Sequence, residues 1–349
     1  MKKTFCSYHC IIPPDILRNV AQKGSEKQQE WAYKAIEESA QIRGQREVMA
    51  LLGVASVAVP AGTKRRTIYD AGNKTFLPGK LVRGEGDAKS KDRAVNEAYD
   101  GAGKTYDFFL KIYERNSIDD RGMRLDSTVH YDVEYNNAFW NGNQMVYGDG
   151  DGQIFNGFTG CLDVIAHELT HGVTQFEAGL VYRNQPGALN ESMSDVFGSL
   201  VKQYAKKQKA DKADWLIGKG LLAKGIKGVA LRSMKDPGTA YNDPLIGKDP
   251  QPAHMKDFVK TTRDNGGVHI NSGIPNKAFY EVAIRIGGNA WEKAGRIWYI
   301  TLRDRLRTSS QFQDCANLTF AVAKELYGAT STEAKAVQDG WNVVGIKVK

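Results

Sequence analysis

Two histidines and a glutamate occur together in the segment 161–173, which reads CLDVIAHELTHGV. His167 and His171 are four residues apart, so on an α-helix they lie one turn apart on the same face and can direct ring nitrogens at one ion. Glu168 is rotated by about 100° from His167, where it can act on a ligand of the metal without binding the metal. The pattern predicts a metal site with an adjacent base. The alternative is an ordinary core helix that carries two histidines.

A third protein ligand and one open position for water are what a catalytic zinc ion requires. The segment 187–195, GALNESMSD, places Glu191 at the start of another predicted helix. Asp195 follows four residues later on the same face, where it can accept the second N–H of a zinc-bound histidine and fix its tautomer. Read without the upstream histidines, Glu191 would be a plain carboxylate at a helix N-terminus.

The composition is that of a soluble globular protein, with 41% hydrophobic and 25% charged residues in 349. This length favours two domains, or three units if one is small. No apolar run approaches the roughly 18 to 20 residues that span a bilayer, and the N-terminus lacks the features of a secretory signal peptide. The four cysteines are too few and too dispersed for a disulfide framework, so synthesis in the reducing cytoplasm is expected.

A net charge of +8 makes a nucleic-acid partner worth testing against the pattern. The basic residues are spread out apart from small clusters at 64–66 and 202–212, and no basic stripe alternates with stacking aromatic residues. A basic solvated surface is the simpler interpretation, and we expect no nucleic-acid partner.

Three zones differ in their residue patterns. Residues 1–60 are polar and helical and end in a small-residue linker, residues 61–176 look β-rich up to the end of the HELTH helix, and residues 177–349 show helical periodicity. Within the first zone, Pro13-Pro14 opens a short helix that Gly24 ends, and Ser25 begins a longer one. The predicted later helices are 162–176, 190–205, 272–287, 289–308, 311–327 and 332–342.

HELTH followed by NESMSD at 190–195 resembles the thermolysin-like zinc metallopeptidases. The resemblance runs from about residue 66 to the C-terminus and includes YNNAFW at 135–140, ALRSM at 230–234 and DNGGVH at 264–269. The N-terminal zone resembles the short propeptide of the protealysin branch. The resemblance implies an α+β fold with a β-rich N-terminal lobe and a mainly α-helical C-terminal lobe, joined by the zinc-site helix and preceded by the helical propeptide.

Carried over position by position, the resemblance also implies the catalytic groups. The zinc ligands would be His167, His171 and Glu191. Glu168 would be the general base, and His269 and Tyr182 would donate hydrogen bonds to the oxygen that becomes negatively charged. Without the resemblance, His269 could simply close a Gly-Gly turn. The positioning residues would be Asp195, Asn190 and Asp264.

Substrate would bind at an edge strand and an apolar pocket. Asn137 and Ala138 resemble part of the strand that pairs with an extended peptide, where backbone hydrogen bonds are independent of the side chains. Arg232 resembles the arginine that binds the carbonyl just after the cleaved bond. The residues that match the S1′ pocket are Phe155, Phe158, Val164, Ile217 and Leu231. Each alone would be an ordinary core residue, but together they predict cleavage before Leu, Phe, Ile or Val.

We therefore predict a zinc-dependent neutral endopeptidase that acts on protein or peptide substrates as a monomer. It would be made as a zymogen inhibited by its own propeptide, and would leave the cell by a non-classical route to act outside it. The alternative is a catalytically inactive scaffold or binding protein that keeps zinc structurally. Structural sites are usually closed by a fourth protein ligand, whereas three ligands beside Glu168 favour an open site.

Cys10 is a candidate switch within the propeptide. Its thiol lies beside the Pro13-Pro14 turn and could reach the open position of the zinc, since thiolates bind zinc well. The alternative is a small residue that packs the propeptide on the cleft. Proteolytic processing is predicted in the stretch 49–66, where extended backbone is accessible.

Calcium binding is where the sequence departs from the best-known members of the family. Asp163 and Asp214 match carboxylates of their double calcium site, but Lys202, Leu216 and Lys219 stand where further carboxylates would be expected. Calcium needs six to eight oxygen ligands, and an ammonium group cannot supply one. We expect little or no calcium at this double site, with Lys202 facing Asp163 in its place.

Overall fold

The computed structural model describes residues 10–36 and 58–349. The first helix, α1, spans Pro14–Lys23 and ends where the N–H of Gly24 donates to the Val20 carbonyl, as predicted. A second helix, α2, follows from residue 26 to the end of this range. Ser25 caps it through a reciprocal pair of bonds with Gln28, a capping box. The predicted continuation of α2 and most of the linker lie outside the described residues.

A five-stranded mixed sheet forms the centre of the first lobe, in the order β2-β1-β3-β5-β4. The strands are β1 Arg66–Lys74, β2 Lys80–Arg83, β3 Leu125–Tyr131, β4 Ala138–Trp140 and β5 Met145–Tyr147. β1, β3 and β5 are parallel, whereas β2 and β4 are antiparallel to their neighbours. β4 therefore forms one edge of the sheet, and its outer backbone groups are available to another chain segment.

A long helix in the first lobe was missed by the β-rich interpretation of residues 61–176. α3 spans Arg93–Tyr113, capped by Asp92, and connects the parallel strands β1 and β3. Parallel neighbours require such a crossover. Gly101 weakens the helical pattern of the sequence and lies where α3 packs closely on the HELTH helix, since a Cβ at this position would lie 2.4 Å from Cδ1 of Ile165.

The second lobe is mainly helical, as expected. Its elements and the HELTH helix are α4 Leu162–Phe176, α5 Asn184–Lys206, α6 Asp264–Asn271, α7 Gly273–Ile286, α8 Ala294–Ile300, α9 Phe312–Tyr327 and α10 Thr332–Val343. Two short ladders pair β6 Leu216–Ile217 with β7 Arg232–Ser233, and β8 Asn242–Asp243 with β9 Gly247–Lys248.

Two predicted helices were wrong in their extent. α5 begins at Asn184, so Glu191 lies inside the helix and not at its start. The predicted helix 289–308 is divided, because α8 passes into a π-helical turn at Thr301–Arg305. The apolar spacing that suggested one continuous helix persists through this turn. The sequence pattern therefore cannot distinguish a π-helical turn from a continued α-helix.

One continuous apolar core runs through the sheet, the helices of both lobes and the N-terminal segment 10–36. The segment contributes Ile11, Ile12, Ile16, Leu17 and Val20, all almost completely buried. Across residues 10–36 and 58–349, no helix combines the length and apolar character that a membrane crossing requires.

Candidate active site

His167, His171 and Glu191 converge where α4 and α5 pack together. Their ligand atoms all lie within 4.8 Å of one another, and the three side chains are buried. The two Nε2 atoms are 3.0 Å apart, and Glu191 Oε1 lies 3.3 Å from His171 Nε2. Among the described residues, Glu191 Oε2 accepts no hydrogen bond. Two imidazole nitrogens and a buried carboxylate oxygen facing one point form a ligand set that suits zinc.

The other ring nitrogen of each histidine has a polar partner. Nδ1 of His167 lies 2.8 Å from Oδ1 of Asp195, and Nδ1 of His171 lies 2.8 Å from Oδ1 of Asn190. An Nδ1–H that donates to these oxygens leaves each Nε2 lone pair directed at the metal position. Asp195 and Asn190, two of the three predicted positioning residues, therefore contact the zinc-ligand histidines as predicted.

Asp195 connects His167 on α4 to Arg232 on β7. Arg232 donates to both of its oxygens at 2.8 Å, and Asn276 Nδ2 donates to Oδ2 at 2.8 Å. Burial alone would raise the pKa of Asp195, but the Arg232 guanidinium and His167 outweigh this and lower it to about 2. Asn276 was not predicted, because no spacing or motif in the sequence distinguishes it from other asparagines.

Glu168 is part of α4, and its completely buried side chain faces the edge strand β4. Its Oε2 accepts a hydrogen bond of 3.0 Å from the backbone N–H of Trp140 on β4. The bond fixes one carboxylate oxygen and holds the side chain next to the metal-ligand group. Its carboxylate is not part of the His167, His171 and Glu191 group whose ligand atoms converge.

His269, Asp264 and Tyr182 form a second polar group beside Glu191. Asp264 accepts from both the backbone N–H of His269, at 2.8 Å, and its Nδ1, at 2.7 Å. Nε2 of His269 lies 3.2 Å from the Tyr182 hydroxyl, which also donates to Glu191. Burial lowers the pKa of His269, but Glu191 and Asp264 raise it to about 9. A left-handed turn at 265–267 brings the ring inward, with φ of 87° and 78° at its two glycines.

The N-terminal segment occupies the cleft between these groups and β4. The N–H of Ile11 donates to the Ala138 carbonyl at 3.3 Å, and the N–H of Ile12 donates to Oδ1 of Asn137 at 3.4 Å. Arg232 Nη1 donates to the Ile11 carbonyl at 3.1 Å. The segment thus binds all three residues that were predicted to bind substrate backbone.

Cys10 reaches this site through its backbone rather than its thiol. Its carbonyl oxygen lies 3.2 Å from Nε2 of His269. Its side chain is part of a separate apolar cluster with Tyr131, Tyr135, Phe139 and Val146, and it is not in the metal-ligand group. This placement favours the packing alternative over the predicted thiol switch.

The residues predicted for the S1′ pocket are all completely buried and belong to the core that also contains Ile11. They form two local groups. The rings of Phe155 and Phe158 are 5.9 Å apart, and the Leu231 N–H donates to the Ile217 carbonyl at 2.9 Å. Val164 lies on α4, one turn before His167.

Lys202 lies against Asp163, as expected. Its Nζ is 2.9 Å from Oδ2 of Asp163 and 2.9 Å from Oδ1 of Asp214, and it also donates to the Leu216 carbonyl. Burial lowers the pKa of Lys202, but the two carboxylates outweigh this and raise it above its usual value. Lys219 adds a more distant charge, 3.7 Å from Asp214.

Comparison with known proteins gives a consistent result along the chain. Residues 44–175 match the catalytic domain of the thermolysin metallopeptidases, and residues 178–346 match their alpha-helical domain. The chain is 52% identical over 352 residues to an extracellular metalloprotease of Pectobacterium carotovorum, covering 97% of this chain and 96% of that protein. Identity to thermolysin of Alicyclobacillus acidocaldarius is 44% over 288 residues, which is 80% of this chain and 50% of that protein.

Similarity extends to a solved structure. The precursor of protealysin, a metalloproteinase from Serratia proteamaculans, superposes with a TM-score of 0.89 at 54% identity. The match covers 97% of this chain and 99% of that one, and therefore includes most of the N-terminal segment.

Proposed function

The chain belongs to the thermolysin-like zinc metalloendopeptidases, and we propose that His167, His171 and Glu191 hold its zinc ion. The observation that carries this is the convergence of their ligand atoms within 4.8 Å in a buried site. Bound zinc would act as a Lewis acid that lowers the pKa of water and polarises a peptide carbonyl. Asp195 and Asn190 would fix the histidine tautomers, which supports metal affinity.

Glu168 would act as the general base, taking a proton from the attacking water and passing it to the leaving nitrogen. Its hydrogen bond from Trp140 holds the carboxylate in place without neutralising it. His269, oriented by Asp264, and Tyr182 would donate to the carbonyl oxygen as negative charge develops there. A peptide carbonyl, that of Cys10, already lies 3.2 Å from His269.

Substrate would bind as an additional strand along β4, with Asn137, Ala138 and Arg232 as its backbone partners. The apolar residues Phe155, Phe158, Val164, Ile217 and Leu231 would form the pocket after the cleaved bond. This pocket would select a bulky hydrophobic residue there, because an apolar wall leaves a polar side chain without partners. Ile11, the residue of the N-terminal segment whose carbonyl is bound by Arg232, is bulky and hydrophobic.

The N-terminal segment would be an inhibitory propeptide that keeps the enzyme latent. Its residues use the same partners as substrate and would exclude it sterically. We propose that the chain has three units: the propeptide with its linker at 1–60, the N-terminal catalytic lobe at 61–176 and the C-terminal catalytic lobe at 177–349. The Val59 N–H donates to the backbone carbonyl of Arg121, and the Val59 carbonyl accepts from the side-chain amide of Asn116. Because these bonds hold Val59 on the first lobe, the processing bond would precede it. The mature enzyme would act outside the cell as a monomer, on protein or peptide substrates.

Digestion of casein tests this proposal. The processed enzyme should cleave before Leu, Phe, Ile and Val, as read from the masses of the products. Stringent zinc removal should abolish the activity, and stoichiometric zinc should restore it. Cleavage that persists in the zinc-free protein, or that occurs before charged residues, would contradict the proposed site.

A further inference from the structure

The register of the N-terminal segment in the cleft identifies one peptide bond. His269 contacts the carbonyl of Cys10, whereas Arg232 contacts the carbonyl of the next residue, Ile11. The backbone N–H of Ile11 pairs with Ala138 on the edge strand. The bond placed between the proposed oxyanion donor and the proposed arginine clamp is therefore Cys10–Ile11.

The segment also runs in the direction of a substrate. A substrate presents, in chain order, the carbonyl that is attacked, the leaving N–H, and the carbonyl held by the arginine. Cys10 and Ile11 present these groups in that order, and the N–H of Ile12 continues the pairing at Asn137. A segment that inhibits by running in the opposite direction would reverse this order.

We propose that Cys10–Ile11 is itself a cleavage site, which the enzyme cuts within its own molecule. This rests on the proposed function of the site. One water molecule is consumed: its oxygen bonds to the Cys10 carbonyl carbon, the C–N bond breaks, and Glu168 transfers the proton to the Ile11 nitrogen. The second proton of the water also ends on this nitrogen, so the products are a carboxylate at Cys10 and an ammonium group at Ile11, with no oxidation or reduction.

Cleavage at this bond does not by itself open the cleft. The part that follows stays anchored, because Ile11, Ile12, Ile16, Leu17 and Val20 are buried in the core. Arg232 still holds the Ile11 carbonyl, so the new amine remains beside the site as a bound product. Activity requires a second cut between this segment and Val59, and the chain nicked at Cys10–Ile11 is latent.

The full-length chain loaded with zinc tests the proposal by intact mass and N-terminal sequencing. We expect a chain that begins at Ile11 to accumulate at a rate independent of protein concentration. Glu168→Gln should slow this cut at least about 100-fold, whereas Glu325→Gln, at an exposed site, should not. A rate that rises with protein concentration, or a wild-type chain that hydrolyses casein while Cys10–Ile11 stays intact, overturns the proposal but leaves the proposed function standing. If no condition gives casein hydrolysis, the proposed function itself is contradicted, and the self-cleavage that rests on it falls with it.

A measurement without zinc or catalysis tests the register separately. In zinc-free Glu168→Gln chain, hydrogen exchange should show protection of the Ile11 and Ile12 amides, since both donate to the edge-strand region. Asn137→Ala should reduce protection at Ile12 more than at Ile11. Exchange of both amides at the rate of an unfolded peptide would overturn the proposed register.

Discussion

Asp195 shows how much of the site depends on single buried atoms. Its two oxygens accept hydrogen bonds from His167, Arg232 and Asn276, and the side chain is completely buried. Because the side chain is shielded from bulk solvent, losing one partner leaves a buried polar group unsatisfied, which is costly. The same carboxylate serves both the proposed metal ligand and the proposed substrate clamp.

Asp195→Asn should lower zinc affinity by about 10- to 100-fold. The amide oxygen can still accept from His167, but the amide N–H₂ would face Arg232 and leave its charge unpaired. Competition with a chromophoric chelator measures the affinity. Asp236→Asn, at an exposed position, is the control. An affinity equal to wild type in Asp195→Asn would remove Asp195 from its proposed role.

His130 links two carboxylates away from the active site. Its Nδ1 lies 2.8 Å from Oδ2 of Asp149, and its Nε2 lies 2.8 Å from Oδ2 of Asp92, the cap of α3. The hydrogen bond to Asp149, followed by that to Asp92, raises the pKa of His130 to about 9 despite partial burial. The pKa of His130 in the folded protein is therefore above its value of about 6.5 in the unfolded chain. The stabilisation of the fold by the charged His130 is complete below about pH 6.5 and is lost as the pH rises through 9.

His130→Gln should therefore be destabilised most at pH 6, by about 1 kcal/mol once the partial exposure of both carboxylates is allowed for. The difference from wild type should shrink towards pH 10. Thermal unfolding of both proteins across this range measures it. A difference that is constant from pH 6 to 10 would show that the imidazolium contributes no stability through its charge.

At the scale of elements, Lys202 joins α4, α5 and the strand β6. One ammonium group satisfies Asp163, Asp214 and the Leu216 carbonyl, and only 6% of the lysine side chain is exposed. A positive charge supplied by the chain makes a bound cation at these carboxylates unnecessary and repels it. We therefore predict that the enzyme binds little or no calcium here.

The variant Lys202→Glu tests whether the lysine ammonium group takes the place of a bound calcium ion. Wild-type melting temperature should not change with millimolar calcium, whereas the variant should be destabilised by about 3–5 kcal/mol without calcium and partly rescued by it. Lys206→Glu, at an exposed position of the same helix, should show no rescue. A marked calcium-dependent rise in the wild type, traced to Asp163 and Asp214, would contradict the prediction.

The sequence predicted best what lies within one helix. The spacing of His167 and His171 determines their shared face without reference to the rest of the chain. The third ligand, Glu191, lies in another helix and was proposed because a catalytic zinc needs a third protein ligand. His269 comes from a distant segment, and only the family resemblance associated it with the histidines. The helix α3 was missed because it contains Gly101, at its close contact with α4, and Gly103, and glycine lowers helical propensity. Asn276 is used only through a tertiary contact that leaves no local pattern.

At the scale of the molecule, the N-terminal segment spans both sides of the cleft. In α1, Asn19 donates to the Ile246 carbonyl of the second lobe, and in α2, Lys27 pairs with Glu134 of the first at 2.6 Å. The sequence indicated that a propeptide was present but not its register, because the pairing with β4 joins residues more than a hundred positions apart. The buried isoleucines provide most of the binding, since the ion pair is exposed and contributes at most about 1 kcal/mol.

The central claim is that Glu168 is the base of a zinc-dependent peptidase. The most direct test compares peptide hydrolysis by wild type, Glu168→Gln and Glu325→Gln after an unrelated serine protease has removed the N-terminal segment, with bound zinc measured in each. We expect all three to retain zinc and the fold. Glu168→Gln should lose at least about 100-fold in hydrolysis, because glutamine cannot accept a proton from water, and Glu325→Gln should match wild type. Hydrolysis near the wild-type rate by zinc-loaded Glu168→Gln would contradict the claim.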